Sequence, residues 1–275
     1  MTHDVSQVAR PEGSQSISRA VELLAAVANC GEGGASLSQI AQQTSLHIAT
    51  ARRIMQALVA DGLLAFDFHT KRYSVGPAIF SFAVMSNPWF LRRDMFNGAL
   101  EEIARHTGDT AMFSIRSGIE AVCLARREGN FPIRVMSLDA GSRRPLGAGS
   151  GSAAILAFLP DEERRTIIEH NASAYTSFGI TADDVREMTE DARANGFSVN
   201  EGRIIDGVYG VAVPVLMGGV AVASISVAAI ASRMQAPRRV EIVRAICTAL
   251  QRFPGIHLPQ LGAGDASSKK RARRA

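Results

Sequence analysis

Residues 36–75 read SLSQIAQQTSLHIATARRIMQALVADGLLAFDFHTKRYSV, and the fold of the N-terminal part follows from this stretch. Ser36-Leu37-Ser38-Gln39 is a capping box. A hydroxyl at the N-cap and an amide three residues on can each take a backbone group that the first helical turn leaves unpaired. Leu37, Ile40 and Ala41 give this short helix one inward face, and Thr44-Ser45-Leu46 forms a turn. A second helix is expected over residues 47–60, with Gly62 as its stop signal and Ala51, Ile54, Met55, Leu58 and Val59 as its core stripe. His47, Ile48, Ala49, Arg52, Arg53 and Gln56 fall mostly on its other side. Two helices joined by a tight turn match a helix-turn-helix, whose second helix enters the major groove. Alternation then switches to period two, with Leu64, Phe66 and Phe68 on one arm and Tyr73 and Val75 on the return. This predicts a hairpin with His69, Thr70, Lys71 and Arg72 at its tip, a basic wing whose contacts would be to phosphates.

Working outward, residues 17–30 (ISRAVELLAAVANC) predict a preceding helix with Ile17, Ala20, Val21, Leu24, Val27 and Ala28 as its buried face. Residues 1–14 read as a flexible arm, 15–76 as a winged helix-turn-helix domain, and 77–93 (PAIFSFAVMSNPWFLRR) as a linker helix broken near Pro88. Residues 94–255 form a larger domain, and 256–275 a disordered basic tail. In the larger domain helices are expected at 95–106, 150–159, 162–170, 182–195 and 238–252. Strands are expected at 110–116, 119–126, 133–138, 197–200, 208–215 and 221–228. Gly196 reads as a helix C-cap and Gly218-Gly219 as a hairpin turn. The class is α+β: a winged helix-turn-helix plus a C-terminal domain with a largely antiparallel sheet, which the family resemblance given below implies to be an α/β, GAF-like effector-binding domain.

The net charge is +4, but Lys269, Lys270, Arg271, Arg273 and Arg274 at the extreme C-terminus supply that excess, so the case for nucleic acid rests on local pattern. The 3 cysteines lie far apart, without disulfide or zinc spacing, which fits a reducing cytoplasm. Apolar runs are too short for a membrane span and the N-terminus lacks a secretory h-region. The histidines form no metal-ligand pair and no Gly-x-Ser-x-Gly elbow occurs, so neither a metal, a cofactor nor catalysis is expected. Gly149-x-Gly151-x-x-Ala154 imitates a dinucleotide fingerprint, but no strand leads directly into it; a nucleotide-dependent enzyme is the remote alternative. A sensor or adaptor that binds no DNA is the nearer one, since Arg52 and Arg53 would equally suit a solvated surface.

The loop Gly147–Gly151 leads into a helix beginning near Ser150. Small residues let backbone approach a ligand, and free N–H groups at a helix start suit a carboxylate, with Ser150 and Ser152 as added hydroxyl donors. A plain tight turn with a serine cap is the simpler alternative.

Residues 36–64 with the following wing and Tyr73-Ser74-Val75-Gly76 resemble the winged helix of the IclR family of regulators. Thr50 and Arg53 stand on that family's Thr and Arg, Ser45 replaces its usual Gly, and Ile48-Ala49 replaces a commonly polar pair. The resemblance continues through GSRRPLGAGSGSAAILAFLPDEE (141–163), ARANGFSVNEGRIIDGVYGVAVPV (192–215) and VASISVAA (222–229), and so covers nearly the whole chain. Gly147 stands where many members have His, and a basic position is lost. The resemblance implies a DNA-binding transcriptional regulator acting on a double-stranded operator as a homodimer or tetramer. Its DNA contacts would come from Ser36, Ser45, His47, Ile48, Ala49, Thr50, Arg52, Arg53, Gln56, Lys71 and Arg72. It also implies an effector pocket for a small organic acid, an aromatic one among the candidates. Gly147, Ser150, Gly151, Ser152, Asn200, Val208 and Gly210 would line that pocket, with Asp206 and Tyr209 as polar neighbours.

Overall fold

The computed structural model describes residues 15–86 and 93–262. The expected N-terminal arm, the linker around Pro88 and the basic cluster at the C-terminus lie outside the described residues. The chain divides into two compact units, one up to Leu91 and one from Arg92 onward.

The first unit opens with α1 (Gln15–Asn29), then β1 (Ala35–Ser36), α2 (Leu37–Gln43) and α3 (Ile48–Ala60). The hairpin β2 (Leu64–Asp67) and β3 (Arg72–Val75) and the helix α4 (Pro77–Ser86) complete it. The capping box forms as expected: Ser36 accepts from the Gln39 N–H, and the Gln39 side chain accepts from the Ser36 N–H. Ala51, Met55 and Leu58 of α3 are buried, with Ile54 and Val59 packed at the edge of the same core. The face of α1 differs from expectation: Leu23 and Val27 are buried, whereas Ile17 and Val21 are 69% and 60% exposed. Apolar residues occupy more than one stripe of this helix, so periodicity alone does not choose between them. The hairpin also gains a third strand, because β1 pairs antiparallel with β3 through Ala35–Tyr73 and Ser36–Arg72.

The second unit begins with α5 (Arg93–Thr107), β4 (Thr110–Ser117), β5 (Glu120–Arg127) and β6 (Arg143–Pro145). Then follow α6 (Ser150–Ala157), α7 (Asp161–His170), α8 (Ala172–Thr176) and α9 (Ala182–Asn195). It ends with β7 (Ser198–Glu201), β8 (Val208–Met217), β9 (Val220–Ile230) and α10 (Ala236–Leu250). Its six strands form one antiparallel sheet in the order β6-β5-β4-β9-β8-β7. Helices α5 and α10 cover one face, and α6, backed by α9, covers the other. Alternation along β4 serves both faces: the Phe113 ring stacks on Phe96 of α5 at 4.3 Å, while Met112 and Ser114 point towards α6. Gly196 caps α9 in the left-handed conformation (φ +82°), and Gly218-Gly219 turns β8 into β9.

Residues 133–138 do not form the expected strand. The free edge of β5 is taken instead by residues 141–145: the Gly141 N–H donates to Cys123 O, the Cys123 N–H donates to Ser142 O, and β6 pairs with Glu120–Val122. An apolar alternation without an edge to pair with stays irregular, and Ile133 and Met136 are exposed. The short helix α8 was not foreseen. It buries Tyr175, whose hydroxyl donates to Leu146 O at 2.6 Å and so fixes the loop that leads into α6.

Candidate nucleic-acid interface and effector pocket

In the first unit, α3 presents one polar, open face. His47 is its N-cap, the imidazole Nδ1 accepting from the Ala49 N–H at 3.3 Å. Ile48, Ala49, Arg52, Arg53 and Gln56 are exposed and Thr50 is half-buried. Neither Arg52 nor Arg53 makes an ion pair or hydrogen bond among the described residues, so both guanidinium groups are available. Ser45, in the turn before α3, is held at φ +55°, which is where the family's usual glycine would cost least. Ser36 is committed locally by its capping box.

The hairpin tip is built by Asp67, whose carboxylate accepts from the His69 N–H at 2.7 Å and the Thr70 N–H at 3.3 Å. The bond from His69 leads the effects that hold this carboxyl below its ordinary range. Lys71, at φ +57°, is exposed and unpaired among the described residues. Arg72 is placed differently from expectation: it lies in β3, and its Nη1 donates to Gly33 O at 3.2 Å and Gly34 O at 2.9 Å. That guanidinium braces the wing against the loop before α2, which leaves Lys71 as the free cation of the tip.

In the second unit a cavity lies between the N-terminus of α6 and the sheet. Its floor is one face of the strands: Cys123 of β5, Met112 and Ser114 of β4, Ser226 and Ala228 of β9, Gly210 of β8 and Asn200 of β7. Small floor residues allow α6 to sit close. A Cβ on Gly151 would stand 3.3 Å from Ser224 Oγ and 3.4 Å from Ser226 Oγ, and one on Gly210 would stand 2.7 Å from Ser150 Oγ. The helix begins at Gly149 with no side-chain cap, so its first N–H groups face the cavity uncovered.

Of the residues expected to meet an effector, Ser150, Gly151, Ser152, Asn200, Val208, Tyr209 and Gly210 lie on the cavity wall. The Ser152 hydroxyl, however, donates to Gly149 O at 3.1 Å. Gly147 and Asp206 do not line the cavity. Gly147 turns towards the core, where a Cβ would stand 2.5 Å from Val185 Cγ1 and 3.0 Å from the Tyr175 hydroxyl. Asp206 is exposed in the turn closed by Gly207, and Ile204 and Ile205 of the same loop border the cavity instead, Ile205 while still 40% exposed.

The residue that sequence reasoning missed is Arg144. Among the described residues it is the one charged side chain on the cavity wall. Its Nη2 donates to Ser137 O at 2.9 Å, and its Nη1 lies 3.2 Å from where a Cβ on Gly149 would stand, so the cation abuts the start of α6. No carboxylate pairs with it among the described residues, and burial pushes its pKa down from the ordinary value. Cys123 adds no negative charge, because burial pushes its thiol up to about 11. Asn200 is 7% exposed, and its Oδ1, like Ser224 Oγ, has no hydrogen-bond partner among the described residues. Serines at alternate positions of an apolar strand were the sequence signal for the polar floor; nothing local marked Arg144.

The family profile for the C-terminal domain of the bacterial transcriptional regulator IclR matches residues 93–252, more than half of the chain, and that for the IclR helix-turn-helix domain matches residues 16–67. The chain belongs to the IclR family. Its fold class is accordingly a helix-turn-helix domain followed by an α+β domain with an antiparallel sheet. IclR relatives include the transcriptional regulator BhcR of Paracoccus denitrificans, 27% identical over 92% of this chain and 91% of that protein. The transcriptional repressor AllR of Salmonella typhimurium is 26% identical over 85% of this chain and 87% of that protein. Among solved structures, the IclR of Thermotoga maritima aligns with a TM-score of 0.62 at 23% identity, covering 86% and 96% of the two chains. An IclR homologue from Microbacterium hydrocarbonoxydans, complexed with 4-hydroxybenzoate, aligns with a TM-score of 0.67 at 20% identity, covering 86% of this chain and all of that one (100%). The protein is therefore an IclR-family transcriptional regulator with a DNA-binding domain and an effector-binding domain. Among the described residues, no helix is long and apolar enough to cross a membrane, and no group of side chains could hold a metal ion.

Proposed function

We propose that this regulator binds a double-stranded operator through α3 and the β2–β3 wing, and that a small organic acid in the cavity beside α6 sets its operator affinity. The observation that carries the effector reading is Arg144, a cation on the cavity wall with no carboxylate partner, placed against an uncapped helix start. An anionic ligand would complete both. The acid bound to the Microbacterium homologue agrees with this class of ligand. On the DNA side, Arg52 and Arg53 are exposed on the open face of α3, and Lys71 carries the phosphate contact of the wing. Phe80, Phe82 and Met85 of α4 are 65%, 58% and 82% exposed, which suits a contact with a second copy of the chain in a homodimer.

The test is retention of duplex fragments from the flanking genomic region by the full chain, with and without a panel of carboxylic acids. Arg53→Ala is expected to weaken operator binding and leave acid binding unchanged. Ser150→Leu is expected to abolish the response to acid and leave DNA binding unchanged. Sequence-independent retention that no acid alters would refute the proposal.

A further inference from the structure

Among the described residues Phe68 is the most exposed aromatic ring, at 74%. Other exposed apolar side chains of the first unit fall in groups: Ile17 and Val21 share α1, and Phe80, Phe82 and Met85 share α4. Phe68 stands instead at the end of the wing, followed by the polar His69, Thr70 and Lys71. One ring offers far less than the roughly 800 Å² that a stable protein interface takes from each partner.

The ring is nevertheless held in place. It packs edge-on against Phe66, with ring centroids 5.1 Å apart and an interplanar angle of 82°. Phe66 lies opposite Tyr73 across the hairpin, their ring centroids 4.7 Å apart, and Tyr73 is buried in the core of the unit. Just beyond Phe68 the turn is pinned by the Asp67 carboxylate, which accepts from the His69 and Thr70 N–H groups. Three rings thus run from the core to the tip, and the last leaves most of its surface in water. Lys71, in the same turn, is an exposed cation without an ion-pair partner among the described residues. A fixed apolar ring near a free cation suits DNA, where cations meet phosphates and apolar side chains part base steps from the minor groove.

We propose that Phe68 is a wedge: with α3 in the major groove, the wing brings this ring to the flanking minor groove, where it partly unstacks one base step and bends the duplex. This rests on the reading of α3 and the wing as the DNA interface, and adds a specificity-determining residue to it. Pyrimidine–purine steps part most easily, so the wing selects flanking sequence by its flexibility, without a hydrogen bond to a base. Phe68 neutralises no phosphate, so its contribution is independent of salt, unlike that of Lys71.

The experiment starts from a pool of random duplexes, enriched by retention on the full chain at moderate salt. A selected duplex of about 30 bp, labelled at both ends, then reports bending by energy transfer. The wild type is expected to enrich a pyrimidine–purine step in each flank and to bend the duplex. Phe68→Ala, whose melting curve should match wild type because the ring is exposed, should bind the selected duplex about tenfold more weakly. It should lose the bend and the flanking preference, and keep both the salt slope and the affinity for unselected duplex. Phe68→Trp should restore the bend. Wild-type bending that survives in Phe68→Ala, or wild-type pools without a flanking preference, would overturn the wedge and leave the DNA reading standing. Equal losses on selected and unselected duplex would do the same, placing the ring against the sugar-phosphate backbone. Enrichment of no sequence at all by the wild type would overturn both readings together.

Discussion

Replacing Arg144 by methionine should make the unliganded protein more stable and the acid-saturated protein relatively less so. Among the described residues the guanidinium has one hydrogen bond, to Ser137 O at 2.9 Å, and lies 5.7 Å from the Phe178 ring. Burial already works against its charge. Methionine keeps the stem's packing and removes the cation. A fully buried unpaired ion costs several kcal/mol; Arg144 is only partly buried, so the relief is smaller. From it must be subtracted the lost charge-assisted bond, on the order of 1.5–3 kcal/mol. A net gain of about 1 kcal/mol remains, or about 2–4 °C in Tm for a domain of this size. With acid at a hundred times Kd, the wild type gains about 2.7 kcal/mol by mass action. The variant, without the charge partner, should bind about a hundredfold more weakly and gain only about 0.4 kcal/mol at the same concentration. The two melting curves should therefore exchange order when acid is added, as read by differential scanning fluorimetry at fixed pH and ionic strength. A variant that melts lower than wild type without acid would show the guanidinium to be a structural strut, and an undiminished acid-induced shift would remove Arg144 from the binding site.

Ser45→Gly should stabilise the winged-helix unit by roughly 0.5–1 kcal/mol in urea denaturation, because it relieves a left-handed serine at φ +55°; a loss of operator affinity would instead place the Ser45 hydroxyl on DNA. Lys71→Ala should leave stability unchanged and lower the slope of log K against log salt by about 1. Arg72→Ala should do the reverse, costing about 1 kcal/mol through the lost bonds to Gly33 and Gly34 with little change in slope. Gly147→Ala should destabilise the effector domain by about 3 kcal/mol or more, since at φ +103° the new Cβ would press on Val185 and the Tyr175 hydroxyl; an unchanged urea midpoint would mean that the loop shifts freely.

What the sequence made legible was local. Ser36 and Gln39 cap α2 because the capping box spans three residues, and the stripe of Ala51, Met55 and Leu58 on α3 is fixed by helical period. Where apolar residues exceed one stripe, as on α1, the buried face is decided by the neighbouring helices, and Leu23 is chosen over Val21. The strand expected at 133–138 failed for a non-local reason, since residues 141–145 already occupy the edge it needed. The cavity divides in the same way. The glycine-rich start of α6 is visible in sequence, but Ser114 meets Ser224 only through the pairing of β4 with β9. Arg144 reaches the helix start because β6 pairs with β5, and no spacing rule announces that. Gly147 looked like part of a ligand loop because glycine permits close approach by either a ligand or a core, and here it is the core that comes close.

The unpaired state of Arg144 is better read as stored function than as imperfect packing, because the same domain pairs its other inward-facing arginines. Asp109, with a side chain 2% exposed, is met by Arg233 at 2.9 Å and Arg238 at 3.1 Å. Arg239, 4% exposed, reaches Glu201 at 2.5 Å and donates to Met234 O. Against that background, Arg144 is an inward-facing cation that no carboxylate meets among the described residues, which suits the wall of an anion-binding cavity. The energies also bear on switching. Moving a two-state equilibrium from 1:99 to 99:1 takes about 5.5 kcal/mol of differential affinity. Satisfying the cation supplies on the order of 1.5–3 kcal/mol, of which only the part that differs between the two states moves the equilibrium. That contact alone falls short of the requirement. An acid whose only charge contact is Arg144 should therefore bind and yet shift operator affinity incompletely at saturation, as read by duplex retention against acid concentration.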